Sequence, residues 1–251
     1  AHVCHPSLAN DNCSGIALLT QLAKRMSGLR TRYSYRFLFA PGTIGAITWL
    51  ARNEDSVHRI KHGLVVSMLG DRGGPTFKKS RQGNAEIDRA MIHALNHSGL
   101  VPTIEEFSPY GYDERQYCSP GFDLPVGCFM RTPNGEYPEY HSSADNPDLV
   151  RPDALAGSLA ALRQVMDVLE HDGIFVSQNP KCEPQLGRRG LYAAVGGLAT
   201  VPNYQQAIMW ALNLADGRHT LLDMAERAAM PFSTLHAAAL HLEANGLLAR
   251  A

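Results

Sequence analysis

The sequence lacks three features that would assign it at once to a broad class of proteins. It has no run of about 18 apolar residues, so no segment is predicted to span a membrane. Lysine and arginine number 23 against 24 acidic residues, and the net charge of −1 creates no field that would attract nucleic acid or an acidic membrane. The five cysteines form an odd set without a Cys-x-x-Cys pair, which is typical of reduced thiols. We therefore expect a cytoplasmic globular protein.

The sequence also lacks an initiator methionine and a signal-peptide pattern. Residues 1–4 are typical of the last part of a strand, and we expect further residues before Ala1. The 251 residues, 45% hydrophobic and 19% charged, suffice for one large domain or for one domain and a small module.

The pattern over residues 1–172 is that of an α/β domain. Helical spacing of apolar residues is present in four segments, 12–26, 43–52, 84–98 and 151–170. Runs typical of strands lie at 33–40, 62–70, 101–107 and 124–130. Strands that alternate with helices predict a mostly parallel sheet sandwiched by helices. Ligands bind such sheets at the carboxyl ends of the strands, where the loops that follow them are expected to converge.

The composition changes after residue 172. Residues 173–202 contain Pro180, Pro184 and several glycines, and we interpret them as a linker or covering segment. In 203–251, three short helical segments, 204–214, 220–229 and 233–245, are separated by turns at Gly217 and Pro231, and an apolar strand begins near Gly246. Short helices joined by such turns predict a small winged helix-turn-helix domain.

The densest group of metal-binding side chains lies near the beginning of the chain, in residues 2–15 (HVCHPSLANDNCSG). Within it, His5 and Asp11 follow a strand and precede an amphipathic helix. A histidine and a carboxylate in a loop at a strand end are typical ligands of a cation such as zinc. The alternatives are that His5 is an ordinary loop histidine and that Asp11 caps the following helix.

Two later loops carry residues of the same chemical types. His141 lies in a polar loop after a predicted strand, in residues 136–146 (EYPEYHSSADN), and Asp113 lies in residues 110–114 (YGYDE). His141 has the alternative interpretation of a surface histidine.

Together these stretches resemble the zinc-dependent aminopeptidases that have a co-catalytic metal centre. The resemblance rests on the histidine loop and Asp-Asn-x-Ser-Gly turn at 5–15 and on the Tyr-His-x-x-x-Asp element at 140–145. The chain is more similar to an uncharacterised branch of that family, in which a winged helix follows the aminopeptidase-like domain. The hallmarks of this branch are present at 4–12 (CHPSLANDN), 137–141 (YPEYH) and 180–187 (PKCEPQLG).

The resemblance implies a zinc centre with His5, Asp11 and His141 as ligands. Asp11 would be the carboxylate that bridges two metals where two are bound. Two imidazoles and one carboxylate leave a fourth position open, which is the ligand set of a hydrolytic zinc site. Cys4 and Cys13 flank these residues and either bind metal as well or are inert thiols.

The sequence departs from the family pattern at three places. Ser7 stands where the aminopeptidases have an aspartate two residues after the first histidine. Gly42, in the segment 41–45 (PGTIG), replaces the glutamate of the branch's Pro-Glu-Thr-Ile-Gly element. The strand-end aspartate expected near 67–69 is also absent, unless Asp71 replaces it. We therefore expect one metal rather than two.

The lost glutamate is the usual general base, and losing such a base lowers a rate by about 10²–10⁴-fold. Candidate substitutes are Glu139, Asp113 and Glu114, each with the alternative interpretation of a solvated loop carboxylate. The leading prediction is a zinc-dependent, aminopeptidase-like hydrolase that uses a metal-activated water on a small peptide or amide substrate. The alternative is a catalytically impaired relative whose metal site binds a ligand or only stabilises the fold.

The C-terminal domain lacks the charge expected of a nucleic-acid reader. Its predicted recognition helix, 233–245, contains neither lysine nor arginine. Over 203–251, three basic residues stand against four acidic ones, namely Arg218, Arg227 and Arg250 against Asp216, Asp223, Glu226 and Glu243. We therefore predict a packing or homo-oligomerisation element, and a DNA-binding regulator is the third hypothesis.

Overall fold

The fold is that of a computed structural model, which describes residues 1–189, 191 and 203–251. The chain divides into two compact units, Ala1–Met166 and Asp167–Ala251. None of the helices in the described part combines the length and the apolar character that crossing a membrane requires. All five cysteines lie within the described residues and are free thiols.

The first unit alternates strands and helices, as the sequence pattern predicts. Its helices are α1 (Gly15–Met26), α2 (Ile44–Asn53), α3 (Glu86–Asn96), the short α4 (Glu114–Tyr117) and α5 (Pro152–His171), which continues past the division between the units. Its strands are β1 (Gly63–Val66), β2 (Thr76–Lys78), β3 (Thr103–Glu105) and β4 (Val126–Met130). A kinked turn (Ala9–Ser14), with non-helical backbone dihedrals at Asp11 and Asn12, precedes α1, and a 3₁₀ helix (Glu54–Arg59) follows α2.

The four strands form one sheet in the order β1-β4-β2-β3. β1 pairs in parallel with β4, and β2 pairs in parallel with β3, whereas β2 and β4 are antiparallel. The predicted α/β class is confirmed, and β2 is an additional strand that the sequence pattern did not reveal. It has three residues only, too few for an alternating pattern to be recognised.

The centre of the sheet is fully buried. All five residues of β4 are buried, and Phe129 lies opposite Phe77 of β2, each with 0% of its surface exposed. Gly127 makes this pairing fit, because a Cβ there would lie 2.5 Å from the Phe77 ring. Strands buried on both faces are continuous apolar runs, and for that reason β4 was predictable.

The predicted strand at 33–40 is wrong over most of its length. Only Ala40 pairs, in an isolated parallel bridge with His2. None of residues 33–39 is buried, so the aromatic side chains there lack the neighbouring strand that would stabilise an extended conformation.

In its described residues, the second unit has a three-stranded antiparallel sheet, the end of α5, a 3₁₀ helix (Gly187–Arg189) and three further α-helices. The strands are β5 (Ile174–Ser177), β6 (Asp216–Thr220) and β7 (Leu248–Arg250), in the order β6-β5-β7. The helices are α6 (Tyr204–Leu214), α7 (Leu221–Ala228) and α8 (Phe232–Ala244). Their bounds agree with the predicted segments within two residues. Thr220 begins α7 with a capping box, since its Oγ1 accepts from the Asp223 N–H at 3.1 Å and its own N–H donates to the Asp223 carboxylate at 2.7 Å.

Our interpretation of 173–202 as a linker needs one correction. Residues 174–177 form the central strand of the C-terminal sheet, where Phe175 has 0% of its surface exposed. The four residues are too few to stand out beside the prolines and glycines that follow them. Residues 190 and 192–202 lie outside the described residues.

Candidate metal centre

The turn at Ala9–Ser14 is held by its own polar side chains. Asn10, Asn12 and Ser14 are all buried, and each accepts a backbone N–H from the segment that follows β1. The Asn12 Oδ1 atom, for example, accepts from the N–H groups of Met68 at 3.1 Å and Gly15 at 3.2 Å. The abundance of short polar residues in this loop therefore fixes Asp11 at the carboxyl end of β1.

Asp11 brings two histidines together at one of its oxygens. Its Oδ2 atom lies 3.0 Å from His141 Nε2 and 3.9 Å from His5 Nε2. The two imidazole rings are 4.6 Å apart. Within the described part of the chain, this is the group of three side chains whose metal-binding atoms all lie within 4.8 Å of one another. The residues that the sequence named as ligands thus converge from loops 130 positions apart.

The three side chains differ in exposure in a way that opens the site on one side. The Asp11 side chain is 3% exposed, whereas those of His5 and His141 are 32% and 48% exposed. His141 has a φ of 53°, a left-handed conformation that is uncommon for a residue with a side chain, and its ring stacks on Tyr140 at 3.9 Å. The buried carboxylate forms the floor of the site, and the imidazoles face solvent.

The surroundings of Asp11 keep it ionised. Burial by itself raises the pKa of its carboxyl, but a hydrogen bond from His2 and the nearby charges of His2, His5 and His141 outweigh burial, and the net pKa is lowered. A buried carboxylate that faces imidazoles on both of its oxygens is well suited to binding a cation.

The geometry of this group fits a zinc ion. Two ligand atoms that each lie about 2.1 Å from a tetrahedral zinc are about 3.4 Å apart. The separations of the Asp11 Oδ2 atom from His141 and His5, 3.0 and 3.9 Å, lie on either side of that value. Two imidazole nitrogens and one carboxylate oxygen are also the donor types that zinc prefers, so the group could hold the ion with small side-chain movements.

Asp145 holds the loop that carries Asp11. It is 1% exposed, and its two oxygens accept the backbone N–H groups of Asn10 at 2.6 Å and of Asp11 at 3.0 Å. The Tyr137 hydroxyl donates to the same carboxylate at 3.3 Å. Sequence reasoning assigned Asp145 no role, although its position four residues after His141 was a usable signal.

His2 is a second residue that sequence reasoning did not assign. Its side chain is buried, with Nε2 at 3.0 Å from Asp11 Oδ1 and 3.1 Å from the Ser67 hydroxyl. Three histidines therefore surround one carboxylate. The available signal was the presence of a second histidine three positions before His5.

The position of the missing glutamate is filled by an aromatic ring. A Cβ on Gly42 would overlap the ring of Tyr112. The Tyr112 hydroxyl lies 3.1 Å from Cys4 Sγ and donates to the Gly42 carbonyl at 3.3 Å, and the Gly42 N–H donates to Cys4 Sγ at 3.0 Å. Cys4 thus joins Tyr112 and Gly42 and lies outside the group of three metal-binding residues, as does the exposed Cys13.

Two of the predicted substitutes for the base, Asp113 and Glu114, lie at the beginning of α4. Asp113 is 7% exposed, its Oδ1 atom has no hydrogen-bond partner, and burial raises its pKa to about 6, which the charge of His2 only partly opposes. Glu114 is 1% exposed and forms an ion pair with Lys78, whose ammonium also donates to the Tyr110 carbonyl at 2.7 Å. A carboxylate engaged in a buried ion pair is a structural element, and Glu114 is therefore not a solvated base.

Glu139 lines an open cavity of about 500 Å³ in the first unit. Polar and apolar atoms share its wall about equally, and the lining residues are Asp71, Arg72, Gly73, Thr132, Tyr137, Glu139, Ala144, Asn146, Asp148 and Leu149. Asp71 does not replace the missing strand-end ligand. Its carboxylate instead accepts from the Thr132 hydroxyl at 2.6 Å and from the Asn10 amide at 3.0 Å.

Comparisons with known proteins agree with this architecture. Residues 1–172 match the family described as "Domain of unknown function (DUF4910)", and residues 173–250 match the winged helix-turn-helix family. A Clostridium acetobutylicum protein named "Putative polysaccharide biosynthesis protein with aminopeptidase-like domain" is 47% identical over 238 residues, which are 95% of this chain and 55% of that protein.

Solved structures place the fold among the aminopeptidases. A Clostridium acetobutylicum structure described as a "putative peptidase" has a TM-score of 0.92 and 44% identity, over 100% of this chain and 56% of the other. A zinc aminopeptidase from Bacillus subtilis has a TM-score of 0.50 and 16% identity, over 64% of this chain and 42% of the other. The chain thus spans about half the length of the relatives it matches. The resemblance to the aminopeptidase fold with a C-terminal winged helix is confirmed.

Proposed function

We propose, from the premise that this chain belongs to the DUF4910 family, that it is a zinc-dependent hydrolase of the aminopeptidase type acting on a peptide or amide bond. The observation that carries the proposal is the convergence of His5 and His141 on one oxygen of the buried Asp11 carboxylate. A zinc ion held there would polarise the scissile carbonyl and lower the pKa of the attacking water.

The residues around the ion have distinct parts in this proposal. Asp11 supplies the buried negative charge, and the half-exposed His5 and His141 leave the open side for substrate. Asp145 keeps the Asp11 loop in place through its two backbone hydrogen bonds. A rigid outer layer of this kind is what fixes the geometry of metal ligands in general.

We propose Glu139 as the general base in place of the absent glutamate. It precedes His141 by two residues, is partly exposed and lines the open cavity, and these features support the role. Asp113 is the second candidate. Its pKa of about 6 suits a base, but it is buried, and we propose that it acts on the orientation of the His2 imidazole.

The cavity offers polar partners to a substrate. Seven of its ten lining residues carry an acidic, basic, hydroxyl or amide group. The name of the Clostridium acetobutylicum relative refers to polysaccharide biosynthesis. We therefore propose that the substrate whose amide bond is cleaved is a hydroxyl-rich or charged molecule. The free cysteines are consistent with a cytoplasmic location for this reaction.

Zinc content is the first test. Purified protein is analysed for bound metal, beside His141→Ala and the control His58→Ala, which changes an exposed histidine of the same unit. We expect zinc in the wild type and the control and its loss from His141→Ala. Absence of zinc from all three after incubation with the ion would refute the proposal.

Hydrolysis is the second test, with a panel of aminoacyl amides and N-acyl amino sugars. Turnover that a chelator abolishes and zinc restores supports the proposal. The alternative of a catalytically impaired relative is favoured by one observation, the Tyr112 ring in the place of a side chain at Gly42. Zinc binding without turnover on any member of the panel would support that alternative.

We propose a packing or homo-oligomerisation role for the C-terminal domain. Its helix α8 (Phe232–Ala244) carries no lysine or arginine, so it offers no contacts to phosphates. Analytical ultracentrifugation of the whole chain, with and without duplex DNA at low salt, tests this. Co-sedimentation with DNA would contradict it.

A further inference from the structure

The two oxygens of Asp11 face different surroundings. Oδ2 faces His5 and His141, the two partly exposed imidazoles of the candidate metal centre. Oδ1 faces His2, whose side chain is 4% exposed, and His2 Nε2 lies 3.0 Å from it. One oxygen is thus open to an ion and to solvent, while the other is enclosed by protein.

His2 Nε2 lies between two oxygen atoms. It is 3.0 Å from Asp11 Oδ1 and 3.1 Å from the Ser67 hydroxyl. An N–H group there donates to the carboxylate oxygen, which can only accept. The enclosed imidazole thus holds Oδ1 in place, whereas the side chain of His141 is 48% exposed and can turn toward a bound ion.

The contact also removes Oδ1 from metal binding. An ion bound at Oδ1 would have to displace a buried imidazole that packs against the Tyr112 ring at 4.6 Å. The other side chain within hydrogen-bond distance of His2 Nε2 is Ser67, a neutral hydroxyl. Within the described residues, no further His, Cys, Asp or Glu forms a group of three within 4.8 Å with His2 Nε2 and Asp11 Oδ1, so a second ion here would lack ligands.

We propose that His2 is a positioning residue that limits the centre to a single ion. By donating to Oδ1, it orients Asp11 so that only Oδ2 is available as a ligand. This inference rests on the proposed zinc centre, but it concerns the number of ions and their affinity rather than the reaction.

The number of ions is the first measurement. Native mass spectrometry and isothermal titration of the whole chain with zinc are expected to give one ion per chain. Two ions would overturn this inference and leave the proposed function intact. No ion would refute the proposed function, and the inference with it.

The contribution of His2 is the second measurement. His2→Phe fills the space without a donor, and His2→Gln retains an N–H at a similar distance. We expect zinc affinity to fall about 10–100-fold in His2→Phe, as for other residues that orient metal ligands, and to stay within about threefold of the wild type in His2→Gln. Cobalt-substituted protein should show altered visible absorption in His2→Phe and unaltered absorption in His2→Gln.

Controls separate positioning from folding. Circular dichroism and denaturant unfolding report whether each variant is folded, and Ser67→Ala removes the other neighbour of Nε2. We expect Ser67→Ala to bind zinc like the wild type. Equal zinc affinity in folded His2→Phe and wild type would overturn the inference. It would also be overturned if the wild type bound two zinc ions and His2→Phe bound one. If His2→Phe does not fold, the ion count of the wild type still decides the matter.

Discussion

Asp145 provides the sharpest test of how the metal-binding loop is held. Its carboxylate is 1% exposed and accepts from two backbone N–H groups, at 2.6 Å from Asn10 and 3.0 Å from Asp11. Asp145→Asn keeps the shape but replaces one oxygen by an NH₂ group. Whichever way the new amide is turned, a donor then faces one of the two N–H groups.

The expected loss follows from these contacts. A hydrogen bond to a charged group contributes about 1.5–3 kcal/mol, and a buried N–H left without a partner costs about 1–3 kcal/mol. Because the two contributions overlap, we expect Asp145→Asn to lower the free energy of unfolding of the first unit by about 2–4 kcal/mol. Zinc affinity should fall about 10–100-fold, since the backbone of the ligand Asp11 is no longer fixed.

The assay must report the first unit alone. The chain has two tryptophans, Trp49 in α2 and Trp210 in α6, so a Trp210→Phe background leaves Trp49 fluorescence as the probe. Urea unfolding is measured for Asp145→Asn and for the control Asp148→Asn, an exposed aspartate in the same loop region. We expect the control to change stability by less than about 0.5 kcal/mol. Equal unfolding midpoints and equal zinc affinities for both variants would refute the reasoning.

Three further predictions address other parts of the chain. Lys78→Met leaves the buried Glu114 carboxylate unpaired and should lower the free energy of unfolding in urea by about 3–5 kcal/mol. Lys79→Met removes an exposed ion pair with Glu106 and should lower it by less than about 1 kcal/mol. Equal losses for the two variants would contradict this prediction. Gly42→Glu should destabilise the first unit by about 1–3 kcal/mol, because the new side chain clashes with the Tyr112 ring. Adding Tyr112→Ala should recover part of this loss. Strictly additive losses in the double variant would show that the Tyr112 ring does not cause the destabilisation. Burial and the charge of His171 lower the pKa of His236 to about 4, below the value of about 6.5 in the unfolded chain. The unfolded state therefore takes up the proton first, so stability should fall as the pH drops from about 6.5 to about 4, and His236→Phe should reduce this dependence in unfolding curves.

The elements that the sequence predicted well have strong local signals. The helix predicted at 204–214 has the same bounds in the structure, because its apolar spacing and the turn after it depend on neighbouring residues only. The strand 33–40 failed for the opposite reason. Aromatic residues favour an extended chain only where another strand pairs with it, and Ala40 alone has such a partner.

The residues of the candidate site also differ in how far the sequence predicted them. His5, Asp11 and His141 were predicted as ligands from the resemblance to the zinc aminopeptidases together with their chemical types, since imidazole and carboxylate groups in strand-end loops are typical of zinc sites. The signal for their orienting partners was weaker and consisted only of a position close to His5 or His141 in the sequence. His2 and Asp145 have the same side chains as many ordinary surface residues, and only their burial against Asp11 gives them a role.

The sequence by itself determined the α/β class, the winged helix and the absence of a glutamate at position 42, and it named His5, Asp11 and His141 as candidate metal ligands. Only the tertiary structure decided what surrounds them. It placed Asp145 against the backbone of Asp11 across 134 positions, and it put the Tyr112 ring where a side chain at Gly42 would lie. Contacts between residues so far apart depend on how the strands pair and how the loops pack. No local pattern encodes them, and the partners of a catalytic or metal-binding group therefore become known only when the chain is folded.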